Sequence, residues 1–224
     1  MNIQVTFRYF RFALVGLLLT VLIDTQASAA VIDLNFVAAA TATDNGPQDG
    51  VFDAFPPSNF GSVVNNGFTS FRTALEFDIS AVPAGYTINA ATLTMRVGFV
   101  EGTRQIALHG YAGDGTISLG DFSRDGVVDN ATLSPAGLSS QTVVFDAKAF
   151  LDSLVQGGEA FAGFNLREDP ANSSNFLVLF FNMDGPTAPR LSVEAVPEPS
   201  AISLFGVGLL ALLFATKLRR RQNQ

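Results

Sequence analysis

Apolar side chains recur at every second position through much of the chain, which is the period of a β-strand with one buried face. The clearest strand runs from residue 71 to 78, and another follows the turn signal at residues 83–85. The predicted core faces of these two strands carry Phe71, Thr73, Leu75, Phe77, Ala91, Leu93, Met95, Val97 and Phe99. The alternate positions of the first strand are Arg72, Ala74, Glu76 and Asp78.

Later apolar runs extend this pattern and predict further strands. Their predicted core positions are Ile106, Leu108, Val143, Phe145, Ala162, Phe164, Leu166, Leu191 and Val193. Residues 176–181 are apolar at every position, which predicts a central strand covered on both faces. Seven or more short strands separated by turn signals predict an all-β fold, an antiparallel β-sandwich or jelly roll.

One short helix is predicted between the strands. Asp146 is placed to cap its first turn, and Phe145 and Phe150 stand at the positions of a hydrophobic staple. An apolar stripe at helical spacing follows and ends at Gly157. We expect this helix to close one end of the sandwich.

Residues 1–30 have the three parts of a secretory signal peptide: a basic start, an apolar run and small residues at the end. Ala27, Ala29 and Ala30 mark the cleavage region, with the cut predicted after Ala29 or Ala30. Export through the Sec translocon follows from this interpretation. The alternative is an uncleaved N-terminal anchor, for which the apolar run is short.

Residues 201–218 form a second apolar run, long enough for a transmembrane helix of about 27 Å. The basic residues Lys217, Arg219, Arg220 and Arg221 flank its end. Because such clusters stay cytoplasmic, residues 31–195 are predicted to form one domain outside the inner membrane. A buried core helix is the alternative interpretation.

Pro197, Glu198 and Pro199 stand directly before this apolar run, in a stretch that holds the chain extended. Pro-Glu-Pro, an apolar helix and an arginine-rich tail, in this order over residues 196–224, resemble the PEP-CTERM sorting signal of Gram-negative bacteria. The resemblance implies recognition of the three motif residues by an exosortase, a membrane protease, often in organisms that make exopolysaccharide. A rigid linker would give the same tripeptide alone.

The charge of the chain changes once its ends are set aside. Six of the 13 basic residues but only one of the 20 acidic residues lie in the ends, so residues 31–200 carry close to −12. Such a surface repels phosphate backbones, which excludes nucleic acid as a partner. The chain has no Cys, which excludes disulfide frameworks and cysteine nucleophiles. It has only one His, which excludes multi-histidine metal centres.

The order of motifs in the body is similar to that of the DNRLRE-type domain, an extracellular jelly roll grouped with carbohydrate-binding modules. The similarity spans about residues 50 to 194 and rests on the segments at 57–61, 72–79 and 82–93. It implies a jelly roll. Members of that family usually carry Trp in the middle of the domain, and this chain has none.

Residues 121–129 match the first part of a calcium-binding loop. Candidate ligands are Asp121, Ser123, Asp125 and Asp129, with Gly126 at the position of the sharp turn. Thr132 replaces the Glu that usually closes such a loop. Calcium is therefore the one cofactor that the sequence suggests, and a polar turn is the alternative.

Sugar binding usually needs exposed flat rings, for which Tyr86 and Tyr111 are candidates. Phe55, Phe60 and Phe68 lie in a polar loop region and could add an exposed patch.

Catalytic chemistry has little support. His109 is expected on a strand opposite Ile106 and Leu108, and the adjacent acids Glu168 and Asp169 would point to different sides. We therefore predict a noncatalytic structural or adhesive protein of the cell surface or extracellular matrix. A carbohydrate-binding module acting on exopolysaccharide is the first alternative, and a polysaccharide-degrading enzyme is the second.

Overall fold

The computed structural model describes residues 29–45, 49–56, 60–124, 126–134, 141–168, 176–182 and 185–197. One compact unit spans Ala30–Val196. Its strands are β1 (Ala30–Asn45), β2 (Phe60–Asn65), β3 (Thr69–Asp78), β4 (Tyr86–Val100), β5 (Arg104–Ala112), β6 (Val127–Leu133), β7 (Gln141–Asp146), β8 (Phe161–Glu168), β9 (Phe176–Asn182) and β10 (Arg190–Pro197). The helices are α1 (Lys148–Gly157) and two 3-10 helices, Leu119–Ser123 and Gly185–Thr187.

Hydrogen bonds link the strands in the order β1-β10-β4-β9-β2-β3-β8-β5-β6, and β7 pairs with β4. Strand β1 is the first in this order and also pairs with β3 in its interior. Its first residues pair with β10, and those from Asn35 onward pair with β3, with a register shift between Phe36 and Ala38. The structure confirms the predicted fold class, an all-β sandwich with one helix.

The main core confirms most of the predicted alternation. Leu75 and Phe77 of β3 are fully buried, and Phe77 packs edge to face against Phe36 and Phe164. Predicted core positions that are buried in later strands are Leu93, Met95, Ile106, Leu108, Val143, Phe145, Ala162, Phe164, Leu166, Leu191 and Val193. Alternation with period two therefore predicts the buried positions correctly wherever the strand stays regular.

Two strand predictions were wrong in detail. Phe99 is 50% exposed, because a register shift between Val97 and Phe99 turns the end of β4 over and buries Val100 instead. In β9, Val178 and Phe180 are buried but Leu179 is 36% exposed. An all-apolar run here has one buried face and one partly exposed face.

The predicted helix is present, but its cap differs. Ala147 occupies the N-cap position, and Asp146, one residue earlier, accepts a hydrogen bond from Lys148 N at 2.9 Å. Gly158 ends the helix in the left-handed conformation, with φ of 76°. Phe150 packs against Phe164 with ring centroids 5.3 Å apart, so the helix closes part of the main core.

A second, smaller core covers the opposite face of β3. Ala42, Ala74, Phe52 and Phe122 form its buried cluster, with the Phe52 and Phe122 ring centroids 5.4 Å apart. Phe122 belongs to the first 3-10 helix, so the connection between β5 and β6 folds back over the sheet. The sequence pattern, which places one face of β3 on a core, did not predict this layer.

Candidate functional site

The start of the first strand pairs with the end of the last strand of the body, and we call this the sorting end, defined by Ala30–Val31 and Ala195–Val196. Ala30 is the first residue of β1 and pairs with Ala195 of β10. Ala29 and Ala30, both predicted at the signal cleavage region, are exposed. Ala27 lies outside the described residues. A cut after Ala29 would thus leave β1 complete.

The predicted sorting motif begins inside the last strand. Pro197 is the final residue of β10 and is half-buried, whereas Glu198 and Pro199 lie outside the described residues. The same holds for Lys217, Arg219, Arg220 and Arg221. Within the described part of residues 29–197, no helix has the length and hydropathy to cross a membrane. The predicted transmembrane segment 201–218 is not part of that range.

The structure describes three of the predicted calcium ligands, Asp121, Ser123 and Asp129, and each of them hydrogen-bonds to other groups of the protein. The Asp121 carboxylate accepts hydrogen bonds from Ser118 N and Oγ, both at 2.8 Å, and closes a capping box. Ser123 Oγ donates to the carbonyl oxygen of Gly50, and the two oxygens of Asp129 accept from Asn130 N and Asp146 N. These groups fix the backbone of three different segments.

Asp125, the central predicted ligand, lies outside the described residues. Among those described, no group of three or more His, Asp or Glu side chains is placed to hold a metal ion. The calcium loop therefore stays a prediction.

The second face of the sheet carries a buried polar cluster, which we call the acid cluster: Glu76, Tyr111 and Asn165. Gly163 of β8 pairs with Glu76 on one side and with Tyr111 on the other. The Tyr111 ring lies directly over Gly163, since a Cβ atom there would be 2.2 Å from the ring. The glycine thus lets Tyr111 reach across β8 toward Glu76, and all three cluster residues are buried.

Glu76 binds the backbone of the connection between β5 and β6. Its Oε2 accepts a hydrogen bond from Gly115 N at 2.7 Å. The remaining oxygens Glu76 Oε1, Tyr111 Oη and Asn165 Oδ1 have no hydrogen-bond partner within the described part of the chain. The Tyr111 hydroxyl is near enough to Glu76 to lower its pKa, but the two are not in hydrogen-bond geometry.

Burial governs the titration of the acid cluster. Desolvation raises the pKa of Glu76 above its usual value of 4.5, and the charges of Asp114 and Asp121 raise it further. The hydrogen bond from Gly115 N acts in the opposite direction. Burial also raises the pKa of Tyr111, and the nearby Glu76 carboxylate adds to this effect. Glu76 therefore loses its proton less readily than an exposed carboxyl group.

Three donors converge on one backbone oxygen above the acid cluster. The carbonyl of Phe122 accepts from Arg72 Nη1 at 2.9 Å, Asn165 Nδ2 at 2.8 Å and Arg167 Nη2 at 3.2 Å. Asn165 also donates to the Asp121 carbonyl, and Arg167 to that of Arg124. We call these contacts the loop anchor. Because the donors are partly or fully buried, they tie the 3-10 helix to the sheet.

The aromatic residues predicted to bind sugar differ in how much of their rings is exposed to solvent. Tyr111 is 6% exposed, because its ring lies in the second layer, so it offers no surface for stacking. Tyr86 is half-buried and packs against the main core. Phe55 and Phe68 are exposed, and Phe68, at 80%, projects from the turn between β2 and β3. The side chain of Phe60 lies outside the described part.

Of the residues weighed for catalysis, the structure describes His109 and Glu168. His109 is half-buried on the face opposite Ile106 and Leu108, as predicted, and receives a long contact of 3.5 Å from Gly126 N. Glu168 ends β8 and pairs with Ile106, and burial raises its pKa. Asp169 lies outside the described residues. The acid cluster, which sequence reasoning missed, carries the one fully buried carboxyl group described.

The described body is an all-β sandwich whose last strand ends at Pro197. The terminal segment matches a known protein family: the PEP-CTERM protein-sorting motif covers residues 195–221. This match supports the resemblance seen in Pro197, Glu198 and Pro199. The motif implies export, membrane-anchored transit to the cell surface and processing by an exosortase.

No curated protein matches the chain. Among solved structures it is similar to a family two carbohydrate esterase from Cellvibrio japonicus, with 8% identity and a TM-score of 0.24. That likeness covers 78% of this chain and 36% of the other. The resemblance to the DNRLRE-type domain stays a prediction.

Proposed function

We propose that the chain is a noncatalytic structural or adhesive protein of the cell surface or extracellular matrix, exported through Sec and sorted by an exosortase. The observation that carries this proposal is the sorting end. The matched motif starts at Ala195, within the last strand of the folded body. A folded module joined directly to a sorting signal is suited to delivery as an intact unit.

The interior of the body supports a structural role. The polar groups that could otherwise act on a substrate are used to hold the backbone: Glu76 binds Gly115 N, and Asn165 binds two carbonyl oxygens. The second layer shields the acid cluster from solvent. An acidic surface around such a body favours solubility and interaction with cations outside the cell.

Carbohydrate binding is the second candidate, and exposed rings favour it. Phe55, Phe68 and Phe99 all present part of their surface to solvent. Flat rings of this kind can stack on sugars, although Phe lacks the polar group of Tyr or Trp. A glycan array and a polysaccharide pull-down separate the candidates, since saturable binding that Phe68→Ala abolishes would favour this second function.

The sorting proposal is tested by replacing Pro197, Glu198 and Pro199 with Ala together. We expect the variant to be exported but to keep its C-terminal segment, because the motif read by the exosortase is gone. Cell fractionation and intact mass report both properties. The matched control is Pro83→Ala with Glu101→Ala, two exposed positions in the body. Release of the motif variant at the wild-type size would contradict the proposal.

A further inference from the structure

The last strand and the sorting signal share residues. Strand β10 runs from Arg190 to Pro197, and the matched motif begins at Ala195. Ala195 is fully buried and pairs with Ala30. Only residues 198–200 then separate the end of the strand from the apolar run at Ala201. The chain therefore has no spacer between its folded body and its signal.

Strand β10 is held on both sides. It lies between β1 and β4 in the sheet order, and its register with β1 runs from Leu34–Leu191 to Ala30–Ala195. Leu191, Val193 and Ala195 all face the main core with no exposed surface. Freeing this backbone requires breaking the ladders and removing three apolar side chains from the core.

A protease needs the chain around the bond that it cuts in an accessible, extended form. Bonds within a paired strand reach that form only when the strand opens, and cleavage then depends on the population of the open state. Core strands open least often. The peptide bonds of β10 are thus protected as long as the body is folded.

We propose that β10 sets the N-terminal limit of exosortase processing, so that the cut falls on the C-terminal side of Pro197, the last residue of the strand, and without opening of the strand. This inference rests on the proposed function. In the reaction the peptide C–N bond breaks, and the leaving nitrogen takes up a proton. The carbonyl carbon gains the hydroxyl group of water or the oxygen or nitrogen of an acceptor alcohol or amine, which supplies that proton.

The first test locates the cut in the full chain. Protein recovered from the surface and medium of exosortase-containing cells is digested, and its C-terminal peptide is identified by mass spectrometry. We expect the last residue to be Pro197 or a later one. A last residue from Arg190 to Val196 would overturn this inference alone. A chain that keeps its whole C-terminus would overturn the proposed function and this inference with it.

The second test locks the strand. Val31 and Glu194 are direct partners in β1 and β10, and the protein has no cysteine of its own. Antiparallel partners lie about 4.5 to 5.5 Å apart at Cα, which suits a disulfide. We therefore expect Val31→Cys with Glu194→Cys to form a cross-link after export.

The cross-linked protein should be processed at the same bond and within about twofold of the wild-type rate, because the strand need not open. A block of processing that reductant relieves would overturn the proposal. Each single cysteine variant serves as the control for the substitutions themselves, and thiol labelling confirms that the cross-link has formed.

Discussion

Both faces of strand β3 are buried, but they are buried by different means. Leu75 and Phe77 face a core built from the alternating apolar residues of many strands. Ala74 and Glu76 face a thin layer made by the connection that follows β5, held by Phe122 and the loop anchor. Packing on the first face is stabilised by buried apolar area, and packing on the second face by a few directed hydrogen bonds.

This difference predicts how each face responds to substitution. The main core has no freedom to collapse, because its side chains come from strands that are fixed by their ladders. The second layer consists of a connection that can move when a contact is lost. We therefore expect the largest effects on the main core and smaller, more local effects on the second layer.

The largest effect is expected for Phe77→Ala. The ring is fully buried and contacts Phe36 and Phe164, so its removal leaves a cavity. The free energy of unfolding should fall by about 3 to 5 kcal/mol. Urea denaturation measures this change, with Phe68→Ala as the exposed control that should stay within about 0.5 kcal/mol. A loss below about 1 kcal/mol for Phe77→Ala would contradict its place in the core.

A smaller effect is expected for Phe122→Ala, the matching ring of the second layer. Its neighbours Phe52 and Phe55 belong to a segment that can close over the gap, so we expect a loss of about 2 to 3 kcal/mol. Hydrogen exchange should rise in residues 113–124 but not in β4. Equal losses for Phe77→Ala and Phe122→Ala, with exchange rising throughout, would remove the distinction between the faces.

Asn165→Ala tests the loop anchor without altering an apolar contact. It removes the donor to the Asp121 and Phe122 carbonyl oxygens, while Arg72 and Arg167 still reach Phe122. We expect a loss of about 1 to 2 kcal/mol in the free energy of unfolding. The exposed Asn89→Ala is the control. An unchanged midpoint would mean that the arginines hold the loop alone.

Glu76→Gln tests the electrostatics of the acid cluster. Because burial raises the pKa of Glu76, its stabilising contribution is complete below about pH 4.5 and is lost as the pH rises through the folded-state pKa. Glutamine does not ionise and keeps an acceptor for Gly115 N. The variant should match the wild type near pH 4 and be more stable at pH 7, by about 1.4 kcal/mol for each unit of pKa increase.

Melting temperatures of both proteins from pH 4 to pH 7 provide the comparison. Glu159→Gln, an exposed acid on the connection after α1, is the control for loss of one negative charge. A wild type that is the more stable protein at pH 7 would mean that a partner stabilises the buried carboxylate, and that the pKa of Glu76 is lowered instead of raised.

The smallest effect concerns the predicted calcium loop. Asp125→Ala should reduce the melting temperature only when calcium is present, since a bound ion adds about 0.4 kcal/mol at a concentration equal to its Kd. The measurement compares both proteins with calcium and with chelator. Equal shifts in the two proteins would exclude calcium binding at Asp121, Ser123, Asp125 and Asp129.

Sequence periodicity was enough for the main core, because each regular strand reports its buried face locally. It failed at Phe99, where a bulge shifts the register, and at Leu179, where an apolar run has an exposed face. Neither the bulge nor the exposed face leaves a signal in the local sequence. A bulge depends on the partner strand, and the cover on a face depends on elements far along the chain.

The acid cluster was beyond sequence reasoning for a similar reason. Glu76 occupies a position that local alternation assigns to the outer face, and its burial comes from a connection that begins at Gly113. Gly163, which lets Tyr111 cross β8, gave the one available hint, since glycine inside a strand often marks a close approach. The sorting motif needed no tertiary information, because its three parts are consecutive in the chain.

The central claim is that the folded body is exported and lies outside the cytosol. A reporter enzyme that is active only after export, joined after Val196 in place of the remaining residues, tests this most directly. We predict full reporter activity from this fusion and none from a matched fusion that lacks residues 1–30. Activity of a cytosol-specific reporter at Val196, with the export reporter silent, would contradict the account.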